Sequence, residues 1–191
     1  MKLIKSKILP VRRRDVDTDL IIPAEFLRTT EKVGLGKYLF ARIKEELNLD
    51  DYKGAKIMLA GDNFGCGSSR EHAVWALKDW GIEVVIAPSF SDIFYSNAVK
   101  NGVLPVVLEN RIVDGILVHS ARGNNELTVD LPEQKIILPD GKNLKFKIDP
   151  YYKECLIKDM DDLDYLLANM KEIEKFDKEH SKNLFFNLSK L

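Results

Sequence analysis

The sequence is poor in cysteine and has no long apolar run, and each shortage excludes a class of protein. Cys66 and Cys155 are its only cysteines, and neither belongs to a Cys-x-x-Cys pair. A disulfide-stapled secreted fold is therefore not expected, and two thiols are too few to hold an iron–sulfur cluster alone. No apolar stretch approaches the roughly 20 residues that a membrane span needs. Because residues 1–5 lack the apolar core of a signal peptide, we expect a cytoplasmic protein.

An excess of one charge is also missing. The chain has 29 Lys and Arg residues against 30 Asp and Glu, which gives a formal net charge of −1. This balance predicts neither nucleic-acid nor membrane binding. One short basic run, Arg12–Arg14, is followed at once by Asp15, Asp17 and Asp19, which offset it. With 191 residues and 45% hydrophobic content, we expect one soluble globular domain.

The middle of the chain alternates apolar runs with helical patterns, which predicts an α/β fold. The predicted elements are a strand over Ala55–Ala60, a helix over Ser69–Trp80 ended by Gly81, a strand over Ile82–Ala87, a helix opened by Ser89 and Asp92 and ended by Gly102, and a strand over Leu104–Leu108. This order implies parallel strands joined by right-handed crossovers. Ligands of such sheets bind beyond the carboxyl ends of the strands.

The flanking regions are predicted more coarsely. Before the core we expect a strand over Leu3–Leu9, an irregular segment over 15–30 and a helix over Lys37–Leu47. After it, residues 111–148 are predicted as β-structure with a turn at Pro139–Gly141, and residues 150–191 as a helical C-terminal extension of the single domain, amphipathic from Tyr151 to about Lys178.

The octapeptide Gly65–His72 carries the densest chemistry of the chain. Two glycines, two hydroxyls, a guanidinium, a carboxylate and an imidazole lie between a predicted strand and a predicted helix. Backbone N–H groups and the positive end of the helix dipole meet there, so the loop suits an anion. Ser68 and Glu71 have the spacing of a capping box at the start of that helix.

Three familiar sites fit this loop or its neighbours poorly. A nucleotide-phosphate loop would need a third glycine or a Gly-Lys-Ser/Thr ending, and Arg70 stands in that place. A calcium loop opening at Asp15-x-Asp17-x-Asp19 would need glycine where Leu20 stands. A hydrolase built on Cys66 and His72 would profit from a thiol whose pKa a helix N-terminus lowers, but no orienting Asn or Asp is evident.

A fourth interpretation is a site that binds a carboxylate substrate and moves a proton with a serine. Arg70 and Arg28 would hold carboxylates, while Ser68 or Ser69 would act at the reacting carbon. Helix N–H groups and an arginine are what would stabilise a serine anion. The same hydrogen bonds would form if Ser68 only capped the helix, and the sequence leaves both roles open.

The motifs resemble those of the aconitase swivel-domain family. Four stretches carry the resemblance in the expected order: Asp15–Pro23, Gly65–Leu77, Ala87–Phe94 and Asn101–Pro105. Within that family, the spacing and the tail Asp149–Leu156 are most similar to the small subunits of bacterial isopropylmalate dehydratases. The resemblance covers nearly the whole chain. It implies an α/β swivel domain: a β/α core with parallel strands, additional barrel-like β-strands and flanking helices.

The resemblance also implies half of an enzyme. A separate large subunit would carry a [4Fe–4S] cluster on its own cysteines, and this chain would bind no cofactor or metal. The implied reaction is that of a hydro-lyase, which interconverts 2- and 3-isopropylmalate by loss and addition of water in leucine biosynthesis. Nucleic acid and membrane are not expected as partners; a small dicarboxylate is the expected substrate.

Site residues follow from the same resemblance. Ser68 matches the catalytic base, and Ser69 and Arg70 match the groups that contact the substrate carboxylate. Asp19 matches an active-site acid, and Thr18 and His72 are expected beside it as further supporting residues of the active site. The loop with Phe26, Leu27 and Arg28 would lie over the variable end of the substrate. Arg28 could instead pair with an additional carboxylate, as in homoaconitases, so a homoaconitase or a citraconate or methylmalate hydratase is the alternative.

Overall fold

The structure is a computed structural model that describes residues 3–27, 31–120 and 125–188, with side chains up to residue 180. Its strands are β1 (Leu3–Val11), β2 (Ile57–Ala60), β3 (Val84–Ala87), β4 (Leu104–Val107), β5 (Glu126–Asp130), β6 (Lys135–Ile137) and β7 (Asn143–Lys145). Its helices are α1 (Thr18–Ile21), α2 (Glu71–Trp80), α3 (Asp92–Lys100), α4 (Asn110–Ser120), α5 (Pro150–Lys158), α6 (Asp162–Ala168) and α7 (Met170–Leu188). Short 3₁₀ turns lie at Ala24–Phe26, Gly36–Tyr38 and Leu49–Tyr52.

The backbone forms two compact units, Met1–Asp159 and Met160–Leu191. The first holds the sheet and α1–α5. The second holds α6 and α7, and α6 begins with a capping box in which Asp161 and Asp164 each accept from the other's backbone N–H. Residues 150–188 contain the helices α5, α6 and α7, while the prediction of one domain with a C-terminal extension stays a prediction. No helix among the described residues is long and apolar enough to cross a bilayer.

One sheet of seven strands, in the order β4-β3-β2-β1-β5-β6-β7, organises the first unit. Strands β2, β3 and β4 pair in parallel, as the alternating pattern predicts. Strand β1, whose pairing was not predicted, also runs parallel to β2, whereas β5, β6 and β7 pair antiparallel beyond β1. The long strand β1 joins the halves: Ile8 pairs with Ile57 of β2, and Ile4 pairs with Val129 of β5.

Both faces of the parallel half are covered, which explains its unbroken apolar runs. Met58 and Val85 point into a cluster with Leu77 of α2, while their neighbours in sequence, Ile57 and Val84, point into a second cluster with the helix α4. Successive side chains of a strand face opposite sides, so each strand contributes to both clusters.

The helix predicted over Lys37–Leu47 is wrong. The segment runs through the 3₁₀ turn at Gly36–Tyr38 and then irregular turns. Phe40 has φ of 51°, which no right-handed helix accommodates. Its N–H donates to the carbonyl of Ile21 at 2.8 Å, and its ring is fully buried. A tertiary contact therefore replaces the predicted helix.

The prediction of β-structure throughout 111–148 is wrong in its first part. α4 occupies Asn110–Ser120 and buries Val113, Ile116 and Leu117, which have the i, i+3, i+4 spacing of one helix face. Antiparallel strands follow as predicted. The turn at Pro139–Gly141 joins β6 to β7, and Gly141 adopts φ of 83° there.

Candidate active site

Three loops meet beyond the carboxyl ends of β1, β2 and β3, and they continue the parallel pairing of the strands. The N–H of Gly65 donates to Val16 O at 2.8 Å, and the N–H of Thr18 donates to Cys66 O at 3.0 Å. On the other side, Phe64 N–H donates to Ser89 O at 3.0 Å. The octapeptide is therefore held between its two neighbours at the edge where α/β sheets bind ligands.

Two glycines allow this close approach. Gly65 has φ of 75°, and a Cβ there would lie 2.2 Å from the Cγ atom of Phe94. Gly67 has φ of 86°, a conformation that side chains other than glycine rarely adopt. The loop therefore turns sharply and presents the residues after Gly67 to solvent.

Ser68 lies exposed just before the helix, and it is not the cap that the sequence allows. α2 begins at Glu71 with Arg70 as its N-cap, and the Arg70 side chain makes no capping bond. Among the described residues, the Ser68 hydroxyl has no hydrogen-bond partner. Its backbone carbonyl accepts from the Thr18 hydroxyl at 3.0 Å, which anchors the residue without engaging its side chain. The predicted capping box is therefore wrong.

Arg70 forms an ion pair with Asp19, a residue of a different motif that is distant in the sequence. Arg70 Nη1 donates to Asp19 Oδ1 at 2.8 Å, and the backbone N–H of Ala24 donates to the same oxygen at 3.0 Å. The bond from Arg70 is the main cause that lowers the pKa of Asp19 below its usual value. The other N–H groups of the Arg70 guanidinium have no partner among the described residues.

Asp19 has a second cationic partner that the sequence did not reveal. Arg42 Nη1 donates to Asp19 Oδ2, and Arg42 Nη2 donates to Glu25 Oε2 at 3.3 Å. Desolvation is the largest single influence on the pKa of Arg42 and lowers it. The hydrogen bonds and charges of the two carboxylates together outweigh desolvation, so the pKa of Arg42 is raised. Arg42 was missed because it lies in the segment mispredicted as a helix, where no local pattern distinguishes it from a surface cation.

Of the loop predicted to cover the variable end of the substrate, the structure describes the first part. The ring of Phe26 stacks on Tyr38 with centroids 4.0 Å apart, and Phe26 and Leu27 are half-buried against the core. Arg28 lies outside the described residues. Both apolar side chains therefore pack against the core and remain partly exposed.

Ser69 is exposed next to Ser68, while His72 is on the first turn of α2 with its ring 4.5 Å from that of Trp75. Behind them lies Asn101, a buried amide that the sequence did not single out as a site residue. Its Nδ2 donates to Glu71 Oε1 at 2.7 Å, and its Oδ1 accepts from Trp75 Nε1 at 3.0 Å. The Glu71 side chain therefore ties α2 to α3 instead of capping α2.

A second carboxylate, Asp62, lies at the same edge and joins loops. Ser89 Oγ donates to Asp62 Oδ1 at 2.5 Å and accepts from the N–H of Asn63 at 2.9 Å. The Ser89 bond is the main cause that lowers the pKa of Asp62. Since Ser89 is used in this way, Ser91 is the N-cap of α3, where Ser89 was predicted.

The thiol chemistry considered for Cys66 is not supported. Partial burial, with Asp17 and Asp15 nearby, raises the pKa of the Cys66 thiol, whereas a nucleophile would need a lowered pKa. Asp17 itself accepts from Leu20 N–H at 2.6 Å as the N-cap of α1. In the described part of the chain, no three His, Cys, Asp or Glu side chains are grouped to hold a metal ion.

Comparisons with known proteins agree with the motifs. Residues 4–111 match the model of the aconitase C-terminal domain, and residues 118–150 match the LeuD_N model. The chain is 44% identical over 197 residues to the 3-isopropylmalate dehydratase small subunit of Magnetococcus marinus, with 93% of this chain and 92% of the relative covered. It is 49% identical over 186 residues to that of Xanthobacter autotrophicus, with 92% of each covered.

The fold agrees as well. The crystal structure of 3-isopropylmalate dehydratase (leuD) from Methanocaldococcus jannaschii superposes with a TM-score of 0.70 at 33% identity, covering 91% of this chain and 98% of that one. The resemblance and the swivel-type α/β fold inferred from the sequence are therefore confirmed. The chain belongs to the family of 3-isopropylmalate dehydratase small subunits, within the aconitase superfamily fold.

Proposed function

We propose that this chain is the small subunit of a cytoplasmic two-subunit hydro-lyase that interconverts 2-isopropylmalate and 3-isopropylmalate in leucine biosynthesis. The names of its relatives support the reaction, and the carboxyl-edge site supports a direct part in it. The observation that carries the proposal is the exposed pair Ser68 and Ser69 beside Arg70, whose guanidinium Asp19 orients and whose other N–H groups have no partner in the described part of the chain.

The iron–sulfur cluster of such an enzyme does not fit this chain. Its two cysteines fall short of the usual four ligands, and they lie on different elements, the loop after β2 and helix α5. We therefore assign the cluster to a large subunit, where it would supply Lewis-acid activation of the substrate hydroxyl.

This chain would bind a substrate carboxylate and move one proton. Arg70 presents a planar fork of N–H groups that matches a carboxylate, and Ser69 offers a hydroxyl beside it. Ser68 would take the proton from the carbon next to that carboxylate while the adjacent carbon loses its hydroxyl group. When water is added back, the deprotonated carbon would gain the hydroxyl and Ser68 would return the proton to the adjacent carbon. The N-terminus of α2 and the Arg70 charge would favour the serine anion that this step needs.

The side group of the substrate would meet Phe26 and Leu27. Both are fixed by the core and partly exposed, so they offer an apolar wall suited to an isopropyl group. A homoaconitate or citraconate substrate is the alternative, and comparing turnover of the three substrates by the same assembly distinguishes them.

The test is reconstitution with the cognate large subunit. We expect Ser68→Ala to lower kcat by about 10²-fold or more, the scale of acid–base catalysis, while assembly is retained. Ser120→Ala is the matched control: that hydroxyl bonds within α4 to Leu117 O and makes no described contact with Ser68, Ser69 or Arg70, so kcat should not change. A normal kcat for an assembled Ser68→Ala enzyme would show that this chain has a scaffold role only.

A further inference from the structure

We propose that Arg42 is a positioning residue for substrate-carboxylate binding: by holding Asp19, it fixes the Arg70 guanidinium that receives the carboxylate. This inference rests on the proposed function and adds a residue to its site. Arg42 touches neither Ser68 nor Ser69 in any described contact, so its effect would pass through Asp19.

The two oxygens of the Asp19 carboxylate have different hydrogen-bond partners. Oδ1 accepts from Arg70 and from the N–H of Ala24, while Oδ2 accepts from Arg42. With donors on both oxygens, the carboxylate cannot rotate about its terminal bond without losing charge-assisted hydrogen bonds. Arg42 therefore keeps Oδ1 directed toward Arg70.

Arg42 also contacts the turn that carries Phe26. Its other nitrogen donates to Glu25, in the 3₁₀ turn that carries Phe26. One guanidinium thus connects the residue that holds Arg70 with the turn that carries the apolar wall. The carboxylate end and the side-group end of the proposed site are coupled through Arg42.

The formal charges of the four side chains in this cluster cancel. Arg70 and Arg42 together carry two positive charges, and Asp19 and Glu25 carry two negative ones. The cluster is neutral before substrate arrives. Because Arg70 uses one N–H group on Asp19, it can bind a substrate carboxylate with the others and need not release Asp19. Pre-organisation of this kind reduces the conformational cost of binding.

The experiment compares Arg42→Gln, Arg42→Lys and the control Arg13→Gln in the reconstituted enzyme. Arg13 forms a similarly exposed pair with Glu46 at 3.1 Å, away from Asp19. For Arg42→Gln we expect KM for isopropylmalate to rise about three- to fivefold, the range of a partly exposed ion pair, with kcat within about twofold. Arg42→Lys retains one charged contact and should restore part of the KM. Arg13→Gln should leave both constants unchanged.

A second readout uses the isolated chain and needs no cluster. A guanidinium that is held in place gives resolved, slowly exchanging Nη proton signals in NMR spectra. We expect those of Arg70 to broaden in Arg42→Gln and to persist in Arg13→Gln.

The outcomes separate cleanly. An unchanged KM and unchanged Arg70 signals in Arg42→Gln would overturn the positioning role, as would a fall in kcat alone that tracks a loss of folded protein. If the wild-type assembly does not convert isopropylmalate at all, the proposed function fails, and the Arg70 signals still decide whether Arg42 orders that side chain.

Discussion

Asp19 and Asp62 are two carboxylates at the same edge of the same sheet, with side chains exposed by 31% and 28%, yet they serve different ends. Asp62 accepts from the hydroxyl of Ser89, the next loop along the edge, and from Arg14 at 3.2 Å. Asp19 accepts from Arg70 and Arg42. Both pKa values are lowered, but one carboxylate joins loops and the other orients a cation that still has donors to offer.

The two carboxylates show which feature of this edge indicates a binding site. A perturbed pKa alone marks either carboxylate, since structural networks perturb pKa values as active sites do. What distinguishes Asp19 is its partner: a guanidinium next to an exposed serine, with N–H groups to which no described residue bonds. The unsatisfied donors of the partner, and not the perturbed acid, point to the ligand.

Of the two carboxylate substitutions, we expect Asp19→Asn to have the larger effect on kcat/KM. The amide removes the negative charge between two guanidiniums, so Arg70 loses its fixed orientation and the two cations repel each other. We expect kcat/KM of the reconstituted enzyme to fall on the order of tenfold to a hundredfold, the scale of a lost charge-assisted hydrogen bond. The fall should appear mostly in KM. Steady-state kinetics on isopropylmalate measure it, and an effect no larger than that of Asp62→Asn would refute the distinction.

The chemistry of this edge was predictable because it is local in sequence. The octapeptide sits between an apolar strand and a helix, and the parallel order of the strands requires its loop to meet the loops after β1 and β3. Thr18 and Asp19, named only from the family resemblance, also lie at this edge: Thr18 bonds to the Ser68 carbonyl and Asp19 to Arg70.

What could not be predicted depends on tertiary contacts. Arg42 reaches Asp19 only because the buried Phe40, with its positive φ, breaks the predicted helix. The helix α2 starts at Glu71, two residues later than predicted. Ser68 therefore lies outside the helix and is not its N-cap. In both places local propensity favoured the wrong interpretation, and side-chain contacts of high sequence separation decided the structure.

Asp62→Asn should show the opposite result to Asp19→Asn. The Ser89 hydroxyl and Arg14 lose a charged acceptor, and the loops after β2 and β3 lose part of their connection. We expect Tm of the isolated chain to fall by about 2–4 °C, with kcat/KM of the folded, assembled enzyme within about twofold of wild type. Thermal unfolding followed by circular dichroism measures the first quantity. A loss of kcat/KM with unchanged Tm would mean that Asp62 belongs to the site.

The smallest expected effect concerns salt. Both carboxylates have a folded pKa below that of the unfolded chain, so each ionised form stabilises the fold above the unfolded value, and this stabilisation is lost as pH falls through the folded pKa. The main cause at Asp19 is a guanidinium, which salt screens, whereas at Asp62 it is a neutral hydroxyl. We expect about 1 M KCl to raise the pKa of Asp19 more than that of Asp62, as measured by carboxyl-carbon NMR titration of the isolated chain. An equal response would mean that Arg14 matters to Asp62 as much as Arg70 does to Asp19, and the two carboxylates would then differ in position but not in the physics that holds them ionised.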